Sequence, residues 1–229
     1  DGLSVSADGV AVSVNRAAGD GSLVDYRAGA TALAVATGPA SELTLDLDGR
    51  RGQLLEVNGH LNIDLFGFVQ LEGDLALVKA DQPQELTLSD GSQTQARLLT
   101  LGGSQLTAFA GVGGGSSAAQ GLDLTGVDFA LAIATDTADT SRSWTSLSAS
   151  AASASFTGIS GLTMAASDIA VVINQATRAE DAVMDSVVTP LSVATGTGQS
   201  TELKLDGQQG ERLSASATVD LDAFGFLRL

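Results

Sequence analysis

Between Leu55 and Leu77 every odd-numbered position is apolar or glycine, and the even positions are mostly polar: Glu56, Asn58, His60, Asn62, Asp64, Gln70, Glu72 and Asp74. A period of two belongs to an extended strand with one buried and one wet face, and no helix sorts residues this way. At about 3.3 Å per residue the run would reach roughly 75 Å if straight, far past the usual strand of about 3 to 10 residues. Bends or bulges are therefore expected at Gly59, Gly67 and Gly73. Phe66 and Phe68 fall on the polar face on either side of Gly67, so that face needs an apolar partner of its own.

Similar alternation runs through the rest of the chain. Leu3, Val5, Ala7 and Val10, Val12, Val14 are two half-strands whose phase changes at Asp8-Gly9, as a bulge or tight turn would require. Leu33, Val35 and Thr37 begin a strand that breaks near Gly38-Pro39. Leu43, Leu45 and Leu47 lead into Asp48-Gly49-Arg50-Arg51, a hairpin signal returning into the long stretch. Pro83 marks 80–84 as a turn, and Leu86 and Leu88 reverse at 89–92 into a strand over 96–110. The glycine-rich 111–120 reads as a flexible connection and 136–143 as a hairpin loop. Residues 144–173 are extended, and 179–188 is the only segment where a short helix is expected.

An internal repeat organises these elements. Segment 3–71 returns as 162–229: Val12-Ser13-Val14-Asn15 matches Val171-Val172-Ile173-Asn174, Val35-Ala36-Thr37-Gly38 matches Val193-Ala194-Thr195-Gly196, and Leu65-Phe66-Gly67-Phe68 matches Ala223-Phe224-Gly225-Phe226. The offset is 159 at Asn15 and Asn174 but 158 at Val35 and Val193, so the second copy is one residue shorter somewhere after Asn15. Residues 1–161 then form a first unit and 162–229 the partial start of a second, and the chain reads as a window on a longer tandem array. Asn58-Gly59 becomes Ser216-Ala217, which cannot readily supply positive φ angles, so the long strand is kept unbroken there. Asp48-Gly49 recurs as Asp206-Gly207, which supports a turn in both copies.

Composition narrows partners and chemistry. Hydrophobic residues are 44% of the 229, ample for a core, yet aromatics are only 4% and glycines number 27, which fits closely packed sheets with a thin interior. A net charge of −16 argues against a nucleic-acid or anionic-membrane partner, because phosphate contacts need clustered Lys and Arg. The absence of cysteine excludes disulfides and thiolate metal sites. No apolar run of about 18 residues is available for a transmembrane helix.

Candidate chemistry is sparse. His60 is the only histidine, and Thr218 takes its place in the second copy, which points to a solvent-facing strand residue. Gly158-Ile159-Ser160-Gly161 and Gly102-Gly103-Ser104 lack the spacing of a nucleophile elbow, and 111–117 lacks the Lys-Ser/Thr of a phosphate loop. No carboxylate pair stands out for acid–base work, and neither an enzymatic activity nor a cofactor is expected. Calcium is the open option, through Asp46-Leu47-Asp48-Gly49, Asp136, Asp139 or the repeat junction, although Lys204 replaces Asp46 in the second copy. The most specific signature is Phe-Gly-Phe. Phe66, Gly67, Phe68, Phe224, Gly225 and Phe226 are candidates for inter-unit packing, the glycine admitting a close backbone while the rings cover the other side.

Asp64-Leu65-Phe66-Gly67-Phe68, Leu124-Thr125-Gly126-Val127-Asp128-Phe129-Ala130-Leu131, Ser143-Trp144-Thr145-Ser146-Leu147 and Gly161-Leu162-Thr163 together resemble repeat modules of very large tandem-repeat bacterial proteins, of the surface or secreted, adhesin-like kind. The resemblance implies an extracellular or cell-surface location and an architectural role, and it supplies no active-site residues. The expected fold is all-β and elongated: long, mostly antiparallel strands with hairpins, curled into an open superhelical or solenoid-like repeat array. The expected function is a spacer, stalk or fibre segment whose partners are neighbouring repeat units, with lateral self-association as a further option. Two alternatives stand beside it: a calcium-dependent adhesive module, and an apolar groove that binds lipid or another hydrophobic ligand.

Overall fold

The computed structural model describes residues 3–27 and 32–228, so Leu229, the last residue of the second copy of the repeated pattern, lies outside the described residues. The chain is all-β, and most of it forms one open antiparallel sheet. Its strands, in spatial order, are β1 (Leu3–Asn15), β4 (Leu54–Leu65), β5 (Val69–Thr87), β6 (Gln93–Val112), β7 (Gln120–Asp136), β8 (Ser143–Thr157), β9 (Leu162–Ala176), β12 (Arg212–Ala223) and β13 (Leu227–Arg228). Two separate hairpins complete the set: β2 (Leu33–Gly38) with β3 (Ser41–Leu45), inserted between β1 and β4, and β10 (Leu191–Gly196) with β11 (Gln199–Leu203), inserted between β9 and β12.

The long stretch is a hairpin and not one bent strand. Phe66 and Gly67 have φ of 59° and 70°, and the Phe68 N–H donates to the Leu65 carbonyl at 2.9 Å, the pattern of a type I′ turn. Glycine supplies one of the two left-handed positions freely, while Phe66 holds the other against its own Cβ. Phe224-Gly225 repeats this turn, with φ of 55° and 70°. The chain thus reverses at Phe-Gly and runs straight through Asn58-Gly59. At Gly73 the register of β5 on β6 slips, as it does in β1 between Asp8 and Ala11 opposite Gly59.

Three further local expectations are corrected. Asp48-Gly49 does not join paired strands. Asp48 caps a single 3₁₀ turn, Gly49–Arg51, by accepting from the Arg50 N–H, and the flanking strands belong to different sheets. Asp206 does the same for Gly207–Gln209. Pro83 does not end a strand. β5 continues through it across a register slip between Ala80 and Gln84, where the missing N–H is not needed by the ladder. Segment 179–188 is not helical, because its backbone is drawn out by the end of β5: Ser89 N–H donates to the Val183 carbonyl at 2.8 Å and Asp185 N–H to the Thr87 carbonyl at 2.9 Å.

The elements β9 to β13 start 159, 158, 158, 158 and 158 residues beyond β1 to β5 respectively. Between β1 and β2 the difference is finer than a single deletion. The Tyr26 N–H donates to the Leu47 carbonyl as the Ser186 N–H does to Leu205, which sets Tyr26 against Ser186. The second segment therefore gains one residue ahead of this point and drops two after it.

The faces of the sheet reverse the sequence expectation. The odd-numbered apolar positions do not make the core. Two of them, Val57 and Leu77, belong to a row of cross-strand neighbours, Val12, Val57, Leu77, Leu101, Leu131, Leu147, Ile173 and Leu213, that crosses eight strands in register. Val12 and Leu213 at its ends are exposed and those between them half-buried. Among the described elements only β10–β11 lies over the sheet, and it covers the opposite face, where small residues such as Ala76, Ala130 and Ala132 are buried. The hydrophobic core is there.

Candidate interaction surface

The best-built site in the molecule is the seat of the β10–β11 hairpin on β5, β6 and β7. Its floor is the small-residue face of the sheet, and its walls are Leu86, Leu88, Leu98, Trp144 and Met184. Into it point Leu191, Val193, Leu203 and Leu205, all buried, with Val193 at 0% exposure. At about 1.5–3 kcal/mol for each fully buried aliphatic side chain, this cluster is a substantial part of the fold's stabilisation. The approach is close enough that Gly102 on β6 could not carry a Cβ, which would overlap the Ala194 carbonyl oxygen. Alanine and glycine at these floor positions are what let a second layer lie on the sheet backbone itself.

Polar contacts lock the approach to the seat. Asn174, buried at the end of β9, donates from Nδ2 to the Met184 carbonyl at 2.7 Å and accepts from Ser146 Oγ at 3.0 Å. Trp144 Nε1 donates to the Ala182 carbonyl at 2.8 Å. Arg142 lies over the Trp144 ring and bridges Asp136, at 3.2 Å, to Asp181, at 3.0 Å. Burial works against the Asp136 charge. Hydrogen bonds from Ala138, Asp139 and Thr94, together with Arg142, nevertheless hold its carboxyl below the usual carboxylate range.

The first hairpin carries the same inward-facing residues without a seat. Leu33, Val35, Leu45 and Leu47 stand at the positions of Leu191, Val193, Leu203 and Leu205, yet β2 is exposed along its whole length, and Val35 keeps 39% of its surface open. The outer edge of β1 is likewise unpaired among the described residues, whereas its counterpart β9 is paired on both sides.

The residues singled out from the sequence sit elsewhere. Phe66, Phe68, Phe224 and Phe226 are on hairpin turns of the sheet, 67%, 56%, 60% and 96% exposed. The Phe224 ring rests on Gly161, in the turn between β8 and β9, and its N–H donates to the Gly161 carbonyl. Gly67 and Gly225 supply the left-handed turn positions described above. His60 projects from β4 with Nδ1 3.0 Å from Asp74 Oδ1 across the ladder and Nε2 3.5 Å from Glu72. Asp74 lies between His60 and Ser104 in that row, so the imidazole is not next to the hydroxyl as a catalytic triad requires. Asp139 accepts from Ser141 and, at 2.9 Å, from Arg178, and Asp48 is engaged by Arg50 at 2.6 Å. Among the described residues no three His, Asp or Glu side chains group to hold a metal ion. No described helix is long and apolar enough to cross a membrane.

Sequence reasoning did not single out Gly102, Trp144, Met184, Leu191, Val193, Leu203 and Leu205 as the interacting set. The available signal was the identity of Leu33, Val35, Leu45 and Leu47 with their counterparts, together with alternate alanines at 130, 132 and 134. Compared with protein-family models, with curated proteins and with solved structures, the chain finds no match.

Proposed function

We propose that this chain is an architectural segment of a tandem array, with residues 1–161 as one complete unit and 162–229 as the start of the next, serving as spacer, stalk or fibre in a large extracellular bacterial protein. The observation that carries this reading is the joint. β9 is hydrogen-bonded along β8 from Trp144–Ala176 to Phe156–Met164, and the β10–β11 hairpin that follows buries Leu191, Val193 and Leu203 on the strands of the preceding set. One set of elements thereby extends both the sheet and the core of the other, which is how repeat arrays gain stiffness. A unit contributes six strands to the sheet, from β1 to β8 without the inserted hairpin. At about 4.8 Å per strand this is roughly 29 Å per unit for a flat sheet. A twist of about 20–25° per strand accumulates to roughly 120–150° per unit and winds the array into an open superhelix.

Small-angle X-ray scattering on this chain and on one lengthened by a full unit tests the proposal. A maximum dimension that grows clearly, by a step of up to about 29 Å, supports it. A size that barely changes overturns it.

A second reading is favoured by one specific observation, the uncovered apolar row that crosses eight strands from Val12 to Leu213. A sheet face of this kind offers a surface for acyl chains or another hydrophobic ligand. Uptake of a fluorescent fatty acid by delipidated protein, abolished by Leu101→Glu and Leu131→Glu together, would select this reading.

A further inference from the structure

The edge of β1 that is unpaired among the described residues, the exposed inner side of β2–β3 and the segment Leu23–Asp25 are linked, Asn15 Nδ2 donating to the Val24 carbonyl and the Tyr26 N–H to the Leu47 carbonyl. In the second segment each counterpart is engaged. β9 pairs with β8, the residues Leu191, Val193, Leu203 and Leu205 fill the seat over β5–β7, and Val183 and Asp185 bond to Ser89 and Thr87. In the first segment the residues facing these partners are Leu33, Val35, Leu45 and Leu47, the same four types, and none is fully buried.

We infer that this surface is the docking face for another unit of the same kind, which presents its own equivalents of β5 to β8. The inference rests on the tandem reading and adds the geometry of the contact. β1 receives a β8-type strand antiparallel, in the register that β9 uses. Because Ile173 faces Leu147 and Met164 faces Phe156, Val14 and Val5 take the places opposite the incoming Leu147 and Phe156 equivalents. The hairpin lays Val35 over the incoming Gly102 equivalent, where a Cβ would leave no room. Strand addition supplies the backbone hydrogen bonds and the apolar plug supplies the selectivity, since only a sheet with this small-residue floor can accept it. An acidic surface with a net charge of −16 works against loose self-association and leaves a shape-matched joint as the favoured contact.

The test uses the whole chain and the chain with a second copy of residues 3–161 placed ahead of residue 3. Val35→Cys and Val193→Cys are made separately in each, and their alkylation rates by a maleimide are compared. V193C is expected to react slowly in both chains. V35C is expected to react rapidly in the present chain and to fall to the V193C rate in the lengthened one. Hydrogen exchange on the unsubstituted chains provides the second readout, with 33–38 and the outer-edge amides of β1 slowing to the level of 191–196 and β9. V35C that stays as reactive with the upstream unit as without it, while V193C remains protected, overturns the inference even if scattering shows a lengthening rod. V35C protected in the present chain and released on dilution overturns it too, in favour of pairing between two chains.

Discussion

Gly102 on β6 lies so near Ala194 on β10 that a methyl group on Gly102 would overlap the Ala194 carbonyl oxygen, with the Val193 and Thr195 side chains 3.0 Å away on either side. Backbone is packed on backbone here, and it has nowhere to relax without lifting the hairpin. Gly102→Ala should therefore destabilise the protein by about 1–3 kcal/mol. Gly19→Ala, at a loop position with open space around it, should be neutral or raise stability by up to about 1 kcal/mol through the unfolded chain. Urea unfolding midpoints at constant slope decide the matter, and equal midpoints for the two variants would contradict the close approach.

The two hairpins provide an internal control. Leu191 is 8% exposed and Leu33, at the same position of the first hairpin, is 42% exposed. Leu191→Ala should cost about 2–5 kcal/mol, the range for truncating a leucine in a packed core. Leu33→Ala should cost about 0.5 kcal/mol or less, as for surface substitutions. In the chain lengthened by an upstream unit the cost of Leu33→Ala should rise toward that of Leu191→Ala. Equal costs in the present chain would mean that the first hairpin is covered in solution.

Much of the strand content was legible in the sequence because period-two alternation reports directly on the pleat. The reversal at 89–92 and the loop at 136–143 fall where the turns do, and the alternation at 55–77 marks strand on both sides of a reversal that it does not reveal. What alternation cannot report is which face another element covers. The apolar side chains at the odd positions from Leu55 to Leu77 are half-buried or exposed, and the face covered by the hairpin is made of Ala76, Gly102, Ala130 and Ala132, residues too small to stand out in any pattern. Turns failed for a related reason. Phe66 is an improbable occupant of a left-handed position, so Phe-Gly-Phe reads as packing and not as a reversal. Asp48-Gly49 has the right residues for a hairpin but caps a 3₁₀ turn between two sheets. The joint was visible only as repeated identities, since nothing local distinguishes Val35, which is open, from Val193, which is enclosed.

A β-carbon in a left-handed conformation costs roughly 1–2 kcal/mol, and asparagine tolerates that region better than phenylalanine does. Phe66 is 67% exposed, so little burial is lost on replacing it. Phe66→Asn should stabilise the hairpin by about 0.5–1 kcal/mol, and Gly67→Ala should destabilise it by about 1–2 kcal/mol. A loss of stability in Phe66→Asn, read from thermal unfolding, would show that the ring is held by contacts worth more than the strain.

Asn174 ties three elements together, since its amide donates to Met184 in the connecting segment and its oxygen accepts from Ser146 on β8. Removing it leaves a buried carbonyl and a buried hydroxyl without partners. Asn174→Ala should cost about 1–3 kcal/mol. Asn174→Asp should cost at least as much despite its matching shape, because an acceptor would then face the Met184 carbonyl. If Asn174→Asp proved harmless in chemical denaturation, the amide would not be oriented as described.

His60 gives the pH dependence with a defined sign. Its imidazole pKa is raised above the usual value, chiefly by the hydrogen bond to Asp74, with burial opposing and Glu72 adding a second hydrogen bond. A raised pKa means that the folded state favours the charged ring. The stabilisation is therefore complete below the unfolded value of about 6.5 and disappears as pH climbs through the folded value. Both partners are exposed, so the effect is small and shrinks with added salt. An NMR titration of the single imidazole should give a midpoint above that of free histidine. Asp74→Asn should move the midpoint down markedly and Glu72→Gln should move it down less. Identical midpoints in the unaltered chain and in Asp74→Asn would place the ring away from Asp74 in solution, with the His60–Asp74 bridge absent from the β4–β5 ladder.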